Sequence, residues 1–171
     1  AVRGRMEKID AGQNFAVIID YAHTPDAFEK VFDAIAPIVR KRVISVHGAT
    51  GARDKTKRPI LGAISARHSD IVIITNEDPY HEPPIDIINQ VYDGAVRASS
   101  LRASAKQSRD TRLLRRPVSG GTTRNDILKI EDRRLAIRKA FELANQGDIV
   151  LILGKGAEEV MAVSDPKADH G

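Results

Sequence analysis

Polar residues that can bind charged ligands directly follow a short apolar stretch near the start of the chain. Residues 15–19 are apolar, Asp20 and His23 come next, and Pro25 marks the start of a predicted helix. A buried strand that delivers polar side chains to its carboxyl end, ahead of a helix, is how open α/β sheets bind ligands. We therefore expect a binding site at the end of this strand.

A second group of charged residues follows another apolar stretch. Four cations fall within six residues at the start of a predicted helix, namely Arg53, Lys55, Lys57 and Arg58. The backbone N–H groups and the positive dipole end of a helix favour anions at such a place. We predict that Arg53, which follows a glycine-flanked turn, clamps a carboxylate, and we interpret Lys57 and Arg58 as solvated charges.

Two more loops carry polar or glycine-rich sequence after an apolar stretch. Glu77 and Asp78 follow the third stretch, and Gly154 and Glu158 follow the fourth. Glycine lets a backbone turn sharply or approach a ligand closely. Spacing alone leaves open whether Glu158 binds an ammonium group or caps the next turn.

The four apolar stretches have the composition of strands that are covered on both faces. Each is short, rich in Val and Ile and almost continuously apolar, at residues 15–19, 43–46, 71–74 and 149–153. Helical periodicity lies between them, at residues 25–40, 59–68, 85–96 and 132–144. This alternation predicts a doubly wound α/β fold with a mostly parallel sheet, in which the four loops meet at one crevice.

Several functional classes are excluded by motifs that the sequence lacks. The chain has no cysteine, which removes disulfides, thiolate metal sites and a cysteine nucleophile. The residue before Lys55 is Asp54, so the glycine-rich loop is not a Walker A motif, and no G-x-G-x-x-G fingerprint follows the first strand. The five histidines show no metal-binding spacing, so we predict no metal site.

Membrane association and nucleic-acid binding are not favoured by the sequence. No apolar run approaches the roughly 20 residues of a membrane helix, and residues 1–5 lack the apolar centre of a signal peptide. We expect a cytoplasmic protein. Eight basic side chains and one acidic side chain lie between residues 97 and 124, without aromatic residues for base stacking. This favours a flexible basic insertion at 98–126, with a polyanion-binding module as the alternative.

The motifs and their order resemble a known family over nearly the whole chain. The matching segments are Gly4-Arg5-Met6-Glu7, Asp20-Tyr21-Ala22-His23-Thr24-Pro25, Arg53-Asp54-Lys55, Lys57-Arg58-Pro59, Asp78-Pro79, Gly147-Asp148 and Gly154-Lys155-Gly156. Together they resemble the carboxyl-terminal domain of the Mur ligases, and most of all the MurE group, the UDP-N-acetylmuramoyl-tripeptide synthetases of peptidoglycan assembly. Another Mur ligase or a folylpolyglutamate synthetase is the alternative within this superfamily.

The resemblance implies a Rossmann-like domain with about six strands that works as part of a larger ligase. Residues 1–14 would be a linker and the start of the domain, 15–163 the domain itself, and 164–171 a tail. The family's amino-terminal domain binds the UDP-sugar substrate, and its central domain holds ATP and Mg²⁺. The implied partners are therefore an amino acid, ATP, UDP-MurNAc-dipeptide and these two other domains, and the isolated chain is expected to be inactive.

The resemblance also assigns roles to individual residues. Arg5 would approach the nucleotide phosphates, Asp20 and His23 would face the ribose and adenine, and Arg53 would hold the α-carboxylate of the incoming amino acid. We also place Gly154 at the amino acid, because the glycines around Lys155 let the backbone approach a ligand closely. Such a ligase works by charge neutralisation and alignment, so no catalytic residue is assigned in this chain.

Two departures from the family pattern bear on the amino acid that is added. Diaminopimelate-adding members carry Asp-Asn-Pro-Arg, whose arginine binds the second carboxylate, whereas this chain has Tyr80 at that position. Because tyrosine cannot form a charge-assisted fork and Glu77, Asp78 and Glu158 suit an ammonium group, we expect L-lysine or a similar diamino acid. Ala157 replaces a histidine that is frequent in the family.

Overall fold

The computed structural model describes residues 2–107 and 126–156 and shows an α/β fold. Its six-stranded sheet has the order β1-β2-β6-β3-β4-β5, in which only β1 is antiparallel to its neighbour. The strands are β1 (Glu7–Ile9), β2 (Ala16–Asp20), β3 (Val43–His47), β4 (Ile71–Ile74), β5 (Asp126–Lys129) and β6 (Ile149–Leu153). The predicted fold class, a mostly parallel doubly wound sheet, is confirmed.

The four predicted strands are β2, β3, β4 and β6, and the structure adds an edge strand on each side. β3, β4 and β6 are buried along their whole length, as expected for strands covered on both faces. β1 and β5 are only partly buried edge strands, so they lack the continuous apolar signal. β1 lies within residues 1–14, the predicted linker and domain start.

Four helices cover the two faces of the sheet. They are α1 (Pro25–Ile35), α2 (Lys57–His68), α3 (Pro84–Gln107) and α4 (Arg133–Leu143). The first three share one apolar core with one face of the sheet, and α4 packs on the other face through Ala136 and Ala140. The side chains of Thr24 and Asp132 cap α1 and α4 by accepting backbone N–H groups.

Helix α3 continues beyond the predicted boundary at residue 96. It includes residues 98–107, which the sequence had assigned to the basic insertion. Residue 126, the predicted end of the insertion, begins β5 instead, and residues 108–125 lie outside the described residues. Within the described part of the chain, no helix has the length and apolar character needed to cross a membrane.

Helices α2 and α3 approach each other unusually closely because each contributes a glycine to the contact. A Cβ atom on Gly62 would collide with the carbonyl oxygen of Val91, and one on Gly94 would collide with that of Pro59. Pro59 lies in the first turn of α2, immediately after Arg58. The close packing therefore fixes the helix end that faces the carboxyl edge of the sheet.

Candidate functional site

A cleft of about 660 Å³ lies at the carboxyl edge of the parallel strands. Loops that follow β2, β3, β4 and β6 line it, as predicted for an open α/β sheet. It brings together six of the predicted site residues, namely His23, Arg53, Glu77, Asp78, Tyr80 and Gly154. The cations and carboxylates that sequence analysis selected separately thus share one cavity.

Arg5, Tyr21 and His23 are in contact with one another at the cleft, which the two rings line. The guanidinium of Arg5 lies 5.0 Å from the centre of the Tyr21 ring, which contacts the ring of His23 edge-on at 5.0 Å. Asp20 is buried, and its carboxylate accepts the backbone N–H groups of Met6 and Ala22, each at 2.8 Å. Asp20 therefore holds the segment that carries Arg5 against the end of β2.

The loop that carries Arg53 is packed tightly against the loop that follows β4. The Gly51 N–H donates to the Asp78 carbonyl at 2.9 Å, and a Cβ atom on Gly51 would collide with the backbone of Pro79. Ala52 has a φ of 50°, a left-handed conformation that is unfavourable for a residue with a side chain. Arg53 follows with an exposed side chain at the cleft.

Arg58 is not a solvated charge, and this interpretation of the sequence was wrong. Its side chain is 0% exposed, and its guanidinium donates to both carboxylate oxygens of Glu82, at 2.9 and 2.8 Å. These bonds and the Ala52 N–H hold the pKa of Glu82 well below its usual range. Burial of a guanidinium requires such a partner, and Glu82 lies 24 residues away in sequence.

Lys57 is also not a fully solvated charge, so this interpretation of the sequence was wrong as well. It is half-buried, lines the cleft and donates from Nζ to the carbonyl oxygen of His23 at 3.1 Å. Lys57 thereby links the start of α2 to the loop that follows β2. It places a second cation in the cleft that contains Arg53.

Glu77 is buried at the base of the cleft, among backbone groups and a nearby cation. Its Oε2 accepts the Gly48 N–H at 3.3 Å, and a Cβ atom on Gly154 would collide with its carboxylate. Burial raises the pKa of Glu77, and the positive charge of Arg133 opposes that shift. Arg133 donates to the Leu153 carbonyl at 2.7 Å, so it fixes the end of β6 as well.

Asp78 is paired with Lys155 and is held in an unusual backbone conformation. Lys155 Nζ lies 2.7 and 2.9 Å from the two carboxylate oxygens, and both residues are buried. Asp78 and Tyr80 have φ values of 37° and 52°. Left-handed residues that are not glycine cost free energy and cluster at functional sites, where packing holds them in place.

The site also contains residues that sequence analysis did not assign to it. Arg58 was visible only as one of four clustered cations, and Glu82 and Arg133 had no local signal, because the role of each depends on a partner from another loop. Lys155 was visible as the lysine between two glycines, but its pairing with Asp78 spans 77 residues of sequence. Glu158 and Ala157 lie outside the described residues.

The described residues do not by themselves fit a Mg²⁺ ion. Among them, no group of three or more His, Asp or Glu side chains is arranged to hold a metal. The carboxylates of Asp20, Asp78 and Glu82 already accept backbone N–H groups or bind cationic side chains.

The chain matches the family described as the Mur ligase, glutamate ligase domain, over residues 4–156. It belongs to the Mur ligase family. The Mur ligase domain is 46% identical over 157 residues to a UDP-N-acetylmuramyl-tripeptide synthetase from Roseiflexus sp., covering 92% of this chain and 27% of that relative. It is 39% identical over 164 residues to a UDP-N-acetylmuramoyl-L-alanyl-D-glutamate–2,6-diaminopimelate ligase from Syntrophomonas wolfei, covering 96% and 29% respectively. The domain thus spans less than a third of each relative's length.

Solved structures agree with this assignment of the Mur ligase domain. A UDP-N-acetylmuramoyl-L-alanyl-D-glutamate–2,6-diaminopimelate ligase matches with a TM-score of 0.70 and 31% identity, over 95% of this chain and 28% of that one. A bifunctional folylpolyglutamate synthase/dihydrofolate synthase from Yersinia pestis, complexed with AMPPNP and a Mn ion, matches with a TM-score of 0.61 and 17% identity, over 90% and 28%. The second likeness is one of fold alone.

Proposed function

We propose that this chain is the carboxyl-terminal, amino-acid-binding domain of an ATP-dependent ligase of peptidoglycan synthesis. The ligase joins a diamino acid with one carboxylate, L-lysine in our hypothesis, to UDP-MurNAc-L-Ala-D-Glu. The observation that carries this proposal is the shared cleft, in which Arg53 and Lys57 supply positive charge and Glu77 supplies a buried carboxylate. An amino acid with an additional amino group has the complementary charges.

In this proposal, Arg53 binds the α-carboxylate of the amino acid as a planar fork of N–H donors. The loop after β4, residues 77–80, binds the side-chain ammonium group. Burial raises the pKa of Glu77 and the positive charge of Arg133 opposes that shift, so an ammonium group bound beside Glu77 would act in the same direction as Arg133. Glu158 remains a proposed ligand of the same group.

The reaction we propose is the attack of the α-amino nitrogen on the carbonyl carbon of an acyl phosphate. A C–N bond forms, the C–O bond to phosphate breaks, inorganic phosphate leaves with the electron pair, and the nitrogen releases a proton to water or to the departing phosphate. No side chain of this domain needs to act as a nucleophile, because holding the amine at the right distance and angle supplies much of the rate acceleration. The domain therefore contributes orientation and charge.

The nucleotide would lie on the side of the cleft that holds Arg5 and His23. Arg5 supplies a charge for the phosphates, and the Tyr21 and His23 rings offer surfaces for the adenine and ribose. Asp20 would help to position Arg5 for the nucleotide, because its carboxylate accepts the N–H of the adjacent residue, Met6. ATP and Mg²⁺ would be held mainly by a central domain of the complete ligase, so we expect the isolated domain to neither hydrolyse ATP nor form an amide.

Tyr80 is the basis for proposing a diamino acid with one carboxylate. It lines the cleft next to Asp78, where it offers a neutral hydroxyl instead of a guanidinium. A second substrate carboxylate would therefore lose water without gaining a charged partner there.

The test is an amide-forming assay of the complete ligase with L-lysine and with meso-diaminopimelate as competing amino acids. We expect a kcat/KM for lysine at least about tenfold higher, which corresponds to about 1.4 kcal/mol of differential binding in the transition state. A strong preference for meso-diaminopimelate would overturn the lysine hypothesis. Inactivity with every amino acid would overturn the ligase proposal.

A further inference from the structure

The Glu82 carboxylate contacts the loop that carries Arg53 at two points. Its Oε1 accepts the Ala52 N–H at 2.8 Å, directly before Arg53, and its Oε2 lies 3.1 Å from Lys55 Nζ, two residues after Arg53. The carboxylate therefore binds the loop on both sides of Arg53, at Ala52 and at Lys55. Arg53 itself remains exposed at the cleft.

Arg58 binds both Glu82 and the loop that carries Arg53. While it binds both oxygens of Glu82, its Nη2 also donates to the Thr50 carbonyl at 3.2 Å, and its Nη1 donates to Gln90 of α3 at 3.1 Å. Thr50 precedes the glycine turn of the Arg53 loop. The Arg58–Glu82 pair thus links Thr50 and Ala52, on either side of Gly51, to helices α2 and α3.

The conformation that these contacts hold is one that the loop would not adopt alone. Ala52 has a φ of 50°, a left-handed conformation that is unfavourable for a residue with a side chain. The Ala52 N–H bond to Glu82 offsets that cost and sets the direction in which the next side chain leaves the backbone. Because no hydrogen bond or ion pair to another described side chain is found for Arg53, its placement depends on that backbone direction.

We propose that Glu82 is a positioning residue that orients Arg53 toward the carboxylate of the amino-acid substrate. The inference rests on the proposed function, in which Arg53 binds that carboxylate. In this arrangement the loop after β4 has two roles, since it contacts the substrate side chain and, through Glu82, positions the arginine that binds the substrate carboxylate. Glu82 does not touch the substrate and acts entirely through the Arg53 loop.

The experiment is a double-mutant cycle in the complete ligase, with Glu82→Gln, Arg53→Ala and the double variant. We expect each single variant to raise the KM for the amino acid by about tenfold or more, and the KM for ATP to stay within about twofold. The double variant should be no worse than Arg53→Ala alone, because Glu82 acts through Arg53. Multiplying effects would show that Glu82 acts independently and would overturn the inference.

The two proposals fail in different ways. An unchanged amino-acid KM in Arg53→Ala would refute the carboxylate role of Arg53 and with it the proposed function of the cleft. A raised KM in Arg53→Ala with no change in Glu82→Gln would refute only the positioning role. Glu29→Gln is the matched control, because Glu29 binds Arg67 at 2.6 Å outside the cleft and should leave every KM unchanged.

Loss of the Glu82 charge leaves Arg58 buried without a carboxylate, which can prevent folding. Glu82→Asp provides the second variant, since it retains the negative charge beside Arg58 and shortens the reach to the Ala52 N–H. We expect a folded ligase whose amino-acid KM is raised by about threefold to tenfold, again without a further increase in the Arg53→Ala background. A wild-type KM in Glu82→Asp would overturn the inference.

Discussion

Lys155 binds both carboxylate oxygens of Asp78, at 2.7 and 2.9 Å, and so joins the loop after β6 to the loop after β4. Both side chains are almost fully buried, so removal of one partner leaves a charge that water cannot reach well. Asp78 also has a positive φ, which this pair helps to maintain. The pair therefore couples the stability of the domain to the shape of the cleft.

Lys155→Met should lower the free energy of unfolding by about 3 kcal/mol, because buried Asp78 would lose the cation that binds both of its carboxylate oxygens. Urea denaturation of the chain measures this loss. Lys30→Met is the matched control, since Lys30 pairs with Asp26 on the surface at 2.7 Å and should cost less than about 1 kcal/mol. Equal losses in the two variants would contradict a structural role for the buried pair.

Gly154→Ala should disturb the base of the cleft. Gly154 has a φ of 102°, and a Cβ atom there would collide with the Glu77 carboxylate. Gly12→Ala is the control, since Gly12 has a φ of 83° and open space around it, so its loss should be limited to the backbone cost of roughly 1–2 kcal/mol. Thermal unfolding should therefore show a clearly larger loss for Gly154→Ala, and similar losses would show that Glu77 moves aside freely.

His47 should make the stability of the domain depend on pH. Burial is the main reason that its pKa falls from 6.5 to about 4, so the folded state keeps the ring neutral where the unfolded chain binds a proton. The resulting stability is present above pH 6.5 and is lost as pH falls toward 4, by roughly 3 kcal/mol in total. Urea unfolding of wild type and His47→Asn across this range should show a smaller loss in the variant, and parallel curves would contradict the assignment.

Tyr80→Arg should shift amino-acid preference toward a substrate with a second carboxylate. The new guanidinium would lie at the cleft and could form a charge-assisted pair, so kcat/KM for meso-diaminopimelate relative to lysine should rise by about tenfold or more. Competition assays of the complete ligase measure this ratio. Tyr80→Phe is the control and should leave the ratio unchanged, whereas an equal gain in both variants would show that charge is not the cause.

The sequence predicted those parts of the fold that have a strong local signal. β4 and β6 were predicted with their observed bounds because continuous runs of Val, Ile and Leu have few alternatives to a buried strand. The edge strands β1 and β5 were missed because three or four partly buried residues carry no such pattern. Helix α3 continued into the basic segment because Ala, Leu, Lys and Arg all favour helix there.

The candidate site was predictable in its location more than in its contacts. Parallel strands must end together, so the positions of His23, Arg53 and Glu77 at one cleft followed from the alternation of strands and helices. The burial of Arg58 did not, because a cation in a first helical turn looks the same in sequence whether it faces water or Glu82. Such pairs depend on how two loops meet, which no local pattern encodes.

The strand order has a consequence for how this domain is synthesised. β6, the last described strand along the chain, lies between β2 and β3 and hydrogen-bonds to both. Until residues 149–153 have left the ribosome, the amino-terminal hairpin of β1 and β2 has no partner in the sheet, and an edge of β3 stays open. A nascent chain that stalls before this strand would expose two unpaired β edges, so we expect the sheet to be completed only late in synthesis.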